Sequence, residues 1–325
     1  MKILFEHDGV LPVTRYGGTE RVLVWLFEKL VEFGHEVFLI GDPQTDLADI
    51  GVQLIKKDSE TRSDWRSLIP KEIDIIHLNY PPGLDLSDWP LIVTIHGNGK
   101  VGERFSKNTV FVSKKHAANH GSECFVYNGI DFSQYPYKKR EIKNLDKFMF
   151  LGKAKWKVKN LSHCVKACKK NKKDLYIAGG KLLNFSKYIH SIGMVNHQKK
   201  MELFNEVDAL LAPVRWHEPF GLFMVEAMSQ GIPVIGSPYG SLTEIIEDDL
   251  GVICNSYQEF EQTIRDCPKK FDPEVIRDRV ENKYNSLNMA RNYIALYEKV
   301  IKGEILNPSD PVAQFTQDAQ ELLPF

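Results

Sequence analysis

Several things are scarce in this chain of 325 residues, and each shortage narrows the reading. No apolar run is long enough to cross a bilayer, so no spanning helix is expected. Cysteines number five, an odd count without a disulfide spacing pattern, which points to a reducing, cytoplasmic setting. Cys164 and Cys168 stand four apart on a predicted helix, but no nearby His or Cys pair completes a zinc-like set. They are assigned to core packing, and no metal site is expected. The opening "MKILFEHDGV" has one basic residue and a short apolar run broken by Glu6, so it reads as a first strand and not as a signal peptide. A net charge of -1 argues against a dedicated nucleic-acid binder.

What is present is a globular composition, 43% hydrophobic and 26% charged, with length for two ordinary domains. Charge is uneven along the chain. Nine lysines and no acid lie between residues 153 and 173, whereas Pro43–Asp49 and Glu244–Asp249 lean acidic. The basic stretch is a solvated face, a diphosphate site or a place for peripheral contact with an anionic membrane.

Residues 1–40 read as strand "KILFEH", a glycine-containing loop, an apolar-periodic helix "TERVLVWLFEKLVEFG" and strand "HEVFLIG". That is a parallel crossover unit. The alternation continues through "IDIIHLN", "PLIVTIHG", "TVFVS", a short helix at Lys114–His120 and a strand "ECFVYNG". A polar, aperiodic segment ends the first series. The second runs through "FMFLGK", helix 160–171, "DLYIAG", "IHSIGMV", helix 197–205, "VDALLAP", helix 219–230, "IPVIGS" and "LGVICN", followed by terminal helices. The expected class is α/β, two doubly wound Rossmann-like domains whose parallel sheets face an interdomain cleft. The predicted boundaries are 1–135 for the first domain, 136–147 for a linker and 148–287 for the second domain. A helix at 288–302 and a tail at 303–325 follow.

In such sheets ligands bind beyond the carboxyl ends of the strands, so polar residues there are the candidates. "RYGGTER" places Gly17 and Gly18 at the start of the first helix, with Thr19 as a possible cap, and helix-start N–H groups attract anions. His96 ends strand "LIVTIHG", where a neutral imidazole can bond a substrate hydroxyl. His77, ending "DIIHLN", reads as structural. Lys153 closes "FMFLGK", and Lys155, Lys157 and Lys159 compete with it for a diphosphate. Tyr80 and Trp89 are candidates for stacking on a sugar.

The most informative stretch is "HEPFGLFMVEAMSQGIPVIGSPYGSLTE", residues 217–244. Glu218 precedes a predicted helix and Glu226 lies two turns inside it, about 12 Å away by helical rise, too far for a direct dyad. Pro219 presets the first turn. The N–H groups of Phe220, Gly221, Leu222 and Phe223 then face a phosphate. Glu226 can accept from the paired hydroxyls of a ribose. A sugar at Glu218, a diphosphate at the helix start and a ribose at Glu226 account for the spacing. Two solvated surface acids are the plain alternative.

This stretch resembles the signature of the retaining, nucleotide-sugar-dependent glycosyltransferases of family 4, which have the GT-B fold. "YGGTERV", "TIHG", "YNGID" and "FLGK…KN" fall where that family has other characteristic segments. The resemblance implies that Glu226 binds the donor ribose, Glu218 the donor sugar, and the Phe220–Phe223 backbone the sugar and diphosphate. Lys153 and Lys159 would neutralise the leaving diphosphate, Gly18 would close over the phosphates and His96 would sit beside the sugar. "NGID" would form part of the hinge, and the helix Asn288–Val300 would brace the first domain. The implied donor is a nucleotide-diphosphate sugar, UDP-linked by default, with no further cofactor. The implied acceptor is a hydroxyl of a glycan, glycolipid or small molecule. Two departures stand out: arginine is common in the family where Lys153 stands, and the interval from Gly152 to Lys159 is one residue longer than usual. Rival readings are a phosphorylase or epimerase on the same fold, and a sugar-nucleotide-binding protein without turnover.

Overall fold

The computed structural model describes residues 1–13, 17–315 and 322–325. Two compact units divide the chain: Met1–Ile130 with Asn285–Thr316, and Asp131–Tyr284 with Gln317–Phe325.

In the first unit β1 (Lys2–His7) leads through α1 (Gly18–Glu32) to β2 (Glu36–Gly41). Then come β3 (Gln53–Lys56), β4 (Ile75–Leu78), β5 (Leu91–Ile95), β6 (Thr109–Phe111) and α2 (Lys114–Ala118). The strands are parallel in the order β3-β2-β1-β4-β5-β6. Ile3, Leu4 and Phe5 are completely buried, as a central strand covered on both faces requires. The apolar stripe of α1 lies on it, with Phe27 meeting Phe5 at 4.6 Å between ring centroids. Sequence reading missed β3, an edge strand of four residues with polar ends. It also placed a strand at Glu123–Gly129, where the structure has a single bridge between Phe111 and Phe125. The Cys124 N–H turns to Ser122 Oγ at 3.0 Å and so leaves no ladder to propagate.

The second unit repeats the plan. β7 (Lys147–Leu151), α3 (Leu161–Asn171), β8 (Asp174–Ala178), β9 (Ile189–Gly193), α4 (His197–Glu206) and β10 (Ala209–Ala212) form its first part. α5 (Leu222–Met228), β11 (Val234–Gly236), α6 (Leu242–Ile245), β12 (Gly251–Ile253), α7 (Tyr257–Arg265) and α8 (Pro273–Lys283) complete it. The parallel order is β12-β11-β10-β7-β8-β9. Residues 136–147 belong to this unit, and Arg140 donates to Phe204 O at 2.6 Å. Cys164 and Cys168 are fully buried under α3, and burial pushes the Cys168 thiol up to about 12. Packing is the use the fold makes of them.

α9 (Ser286–Ile301) returns to the first unit. Its Tyr293 and Tyr297 hydroxyls bond Thr94 Oγ1 at 3.0 Å and His77 Nδ1 at 2.7 Å. In each sheet the first strand sits beside the fourth. There the crossovers leave in opposite directions and a crevice opens at the carboxyl ends.

Candidate functional site

In the second unit this switch point lies between β7 and β10. A single helical turn at Lys157–Lys159 carries Lys159 inward from the end of β7. Its ammonium meets Glu218 Oε2 at 2.5 Å, and Trp216 Nε1 donates to the same oxygen at 2.8 Å. The ammonium also lies 5.1 Å from the Trp216 ring centroid and 4.8 Å from that of Phe223. Lys159 is 9% and Glu218 7% exposed, so each charge depends on the other for compensation. Lys155 and Lys157 are exposed. Among the four competing lysines, the fold thus gives Lys159 the carboxylate and leaves Lys153 half-buried, its ammonium 4.6 Å from the Trp156 ring centroid.

Glu218 is held by its backbone. Ser241 N–H donates to Glu218 O at 2.9 Å, and Ser241 Oγ donates to Phe220 O at 2.7 Å. Between them Gly240 has φ 63°, and a Cβ there would stand 2.3 Å from both N and O of Glu218. Only glycine lets the "SPYGS" loop clamp this turn.

The helix begins later than its sequence pattern suggests. Gly221, at φ 81°, is the residue before α5, so Pro219 and Phe220 precede the helix and Pro219 does not preset its first turn. A left-handed residue cannot continue a right-handed helix. Glu218 and Glu226 therefore do not ride one helix; a clamped turn positions the first and α5 the second. Of the four candidate backbone groups, Phe220 lies in the turn, Gly221 caps, and Leu222 and Phe223 open the helix, with no side-chain hydrogen bond at the cap.

Glu226 points inward and is 2% exposed. Its Oε1 accepts from Tyr135 Oη at 2.7 Å and from Lys200 Nζ at 2.7 Å, and Lys200 is itself 6% exposed. Sequence reasoning missed Lys200 and Tyr135. A signal existed: Lys200 stands three and four residues before the buried Leu203 and Phe204, on the apolar face of α4.

In the first unit the carboxyl edge is made of imidazoles. His96, just past β5, donates from Nε2 to Asn79 Oδ1 at 2.9 Å, and burial lowers its pKa to about 4. His77 is bonded to Thr94 and Tyr297, and burial lowers it to about 3. From α2, His116 Nε2 donates to Gly97 O at 3.0 Å, and His120 Nε2 accepts from Gly99 N at 3.0 Å. Two histidines thus shape the loop that follows His96. Gly17 is the residue before α1 and Gly18 opens it, so Thr19 lies inside the helix and does not cap it. The loop residues Thr14, Arg15 and Tyr16 lie outside the described residues. Trp89 packs against the cluster containing Leu78 and Leu86, and Tyr80 is 36% exposed. Among the described residues no group of three or more His, Cys, Asp or Glu is arranged to hold a metal ion.

The profile of the family described as "Glycosyl transferases group 1" matches residues 132–270. An uncharacterized 41.2 kDa protein in the cps region of Klebsiella pneumoniae is 30% identical over 112 residues. That match spans 33% of this chain and 31% of that protein. Among solved structures, AviGT4, a glycosyltransferase involved in avilamycin A biosynthesis, superimposes with a TM-score of 0.75 at 19% identity, over 94% of this chain and 99% of that one. HepE of Anabaena, solved in complex with UDP-glucose, gives 0.69 at 16% identity, over 92% and 100%. These likenesses establish the fold as GT-B, two Rossmann-like domains in one chain.

Proposed function

We propose that this protein is a glycosyltransferase that moves a sugar from a nucleotide-diphosphate sugar to a hydroxyl acceptor. The observation that carries the reading is the Lys159–Glu218–Trp216 cluster at the β7/β10 switch point, with the buried carboxylate of Glu226 eight residues further on. The family match over residues 132–270 covers that whole region.

In this reading Glu226 accepts from the donor ribose hydroxyls. Its pairing with Lys200 and Tyr135 fixes its direction. Glu218 faces the donor sugar, aimed by Lys159 and Trp216. The diphosphate leaves with growing negative charge, and Lys153, Lys159 and the backbone N–H groups at Gly221–Phe223 offset that charge in place. Gly17, Gly18 and His96 complete the assignments from the first unit. His96, held neutral by burial, supplies a hydrogen bond rather than a charge to the sugar.

The finer assignment is to the retaining family 4 enzymes. A double displacement needs a carboxylate nucleophile about 5 Å from its acid partner. Glu218 is already engaged by Lys159 and Trp216, which favours front-face substitution, with the leaving phosphate taking the acceptor proton. A UDP-linked donor is favoured because the like-folded HepE is solved with UDP-glucose. A small-molecule acceptor is compatible with AviGT4, whose described role is in avilamycin A biosynthesis.

The test is a binding screen of UDP-, GDP- and ADP-sugars, followed by measurement of nucleoside diphosphate release with and without acceptors. Acceptor-dependent release with retention of anomeric configuration is expected. Binding without release across a broad acceptor panel would overturn the transferase reading.

A further inference from the structure

Residues Leu322–Phe325 belong to the second unit, although α9 and the residues directly after it belong to the first. In the first unit Val312 N–H donates to His120 O at 2.8 Å and Gln314 N–H to Asn119 O at 2.9 Å. The four residues of the second unit bond the irregular backbone that follows β10 and carries Trp216 and Glu218. Backbone groups in such a stretch have no helix or strand ladder of their own, so their partners must come from elsewhere.

Arg215 shows where they come from. Its N–H donates to Val158 O at 2.7 Å, and its C=O accepts from Leu323 N–H at 3.0 Å. Its side chain returns the bond, Nε donating to Leu323 O at 2.5 Å. Val158, Arg215 and Leu323 thus stand in a bonded row. Lys159 follows the first of them and Trp216 the second, and both meet Glu218.

The other arm of the clamp is bonded too. Tyr239, the neighbour of Gly240, donates its hydroxyl to Pro324 O. Its ring lies 6.0 Å from that of His217, the residue before Glu218. Phe325 anchors the segment, its ring 6.1 Å from His163 on α3 and 5.7 Å from Phe260 on α7. A ring placed against two helices fixes the direction of the peptide groups beside it.

We propose that Leu322–Phe325 is a strap that positions the donor-sugar turn, holding Arg215 and Tyr239 so that Lys159, Trp216 and Glu218 keep their mutual directions. The role is positioning, since the strap acts on Glu218 through Arg215 and Tyr239. It rests on the transferase reading only for the identity of the ligand. The strap bears on the sugar end of the donor, whereas Glu226, assigned to the ribose, is held by Lys200 and Tyr135. Loosening it should therefore weaken a sugar nucleotide and spare the bare nucleotide.

The experiment compares the full wild-type chain with Phe325→Ala and with Leu323→Pro, which deletes the N–H that Arg215 O accepts. Hydrogen exchange at the Arg215 and Ser241 amides is expected to quicken about tenfold in both, as local opening does. UDP-glucose affinity is expected to fall about tenfold with UDP affinity unchanged, because a misplaced sugar contact is lost while the ribose contact stays. Phe325→Tyr, which keeps the ring, should restore both readouts. Unchanged exchange in the two strap variants would overturn the proposal, whatever the ligand. Faster exchange with wild-type UDP-glucose affinity would also overturn it and leave the segment as cover. So would an equal loss for UDP and UDP-glucose, which marks a general loosening of the unit. Wild-type protein that binds neither UDP nor UDP-glucose counts against the donor reading, and the exchange measurement then decides the strap by itself.

Discussion

The two units share one strand order and end their sheets in opposite kinds of chemistry. At the carboxyl edge of the first, burial holds His77 near about 3 and His96 near about 4, so the imidazoles there are neutral donors and acceptors. At the same edge of the second, two buried lysines meet two buried glutamates, Lys159 with Glu218 and Lys200 with Glu226. Topology therefore selects where polar groups converge, while the loops select whether they carry charge. Neutral groups can be buried with hydrogen bonds alone. Ions require a partner, which makes the second edge the more sensitive to substitution.

Breaking one ion of a pair should give the largest effect. Lys200→Met leaves Glu226 buried without its ammonium, and a loss of about 3–5 kcal/mol in urea unfolding is expected. A second change, Glu226→Leu, in the same chain should recover part of that stability while abolishing donor binding. Equal stability of the single variant and the wild type would remove the pair from the account.

The clamp on Glu218 comes next. Gly240→Ala forces a Cβ onto the Glu218 backbone and places alanine at a positive φ, so a cost above about 2 kcal/mol is expected. Turnover should fall even in the folded fraction, because Glu218 must shift. A crystal structure with Glu218 unmoved would contradict this.

Lys153 is half-buried and lies over Trp156, so Lys153→Ala should leave unfolding nearly unchanged. Turnover should drop by roughly 10- to 100-fold at saturating donor, as removing a group that offsets leaving-group charge does. Unchanged turnover would move the diphosphate role away from this residue.

The neutral edge predicts a gentler response, to pH. Unfolded histidine takes up a proton near about 6.5, whereas His96 and His77 in the fold do so only near about 4 and about 3. Their folded values are depressed, so the unfolded chain binds more protons as the solution is acidified. Stability is complete above pH of about 6.5 and falls as pH drops toward about 4. His96→Asn should flatten part of that slope between pH 6.5 and 5 in unfolding titrations. Because His96 stays neutral throughout, it should add no limb to the activity profile above pH of about 5. An alkaline-going rise in activity lost in His96→Asn would contradict the neutral role.

Much of this was legible from residues alone. Period-two and period-3.6 patterns identified most strands and helices, since buried faces repeat with the geometry of the element. The edge strand Gln53–Lys56 escaped because half its face is solvated and its run is short. The helix start at Leu222 escaped because the pattern counts apolar positions, and Phe220 is apolar and buried in the turn before it. Glu218, Glu226 and the lysine cluster were all visible as candidates. Their partners were not, because Lys200 and Tyr135 reach Glu226 from 26 and 91 residues away.

By itself the sequence determined the α/β class, the tandem of crossover units and the stretch in which chemistry is concentrated. Those follow from local patterning and from residue types that are costly to bury. Tertiary structure alone decided which of four lysines meets Glu218, which cation compensates Glu226, and that glycine at 240 clamps the turn. Each is a contact between segments distant along the chain, fixed by packing and by the requirement that a buried charge find its opposite.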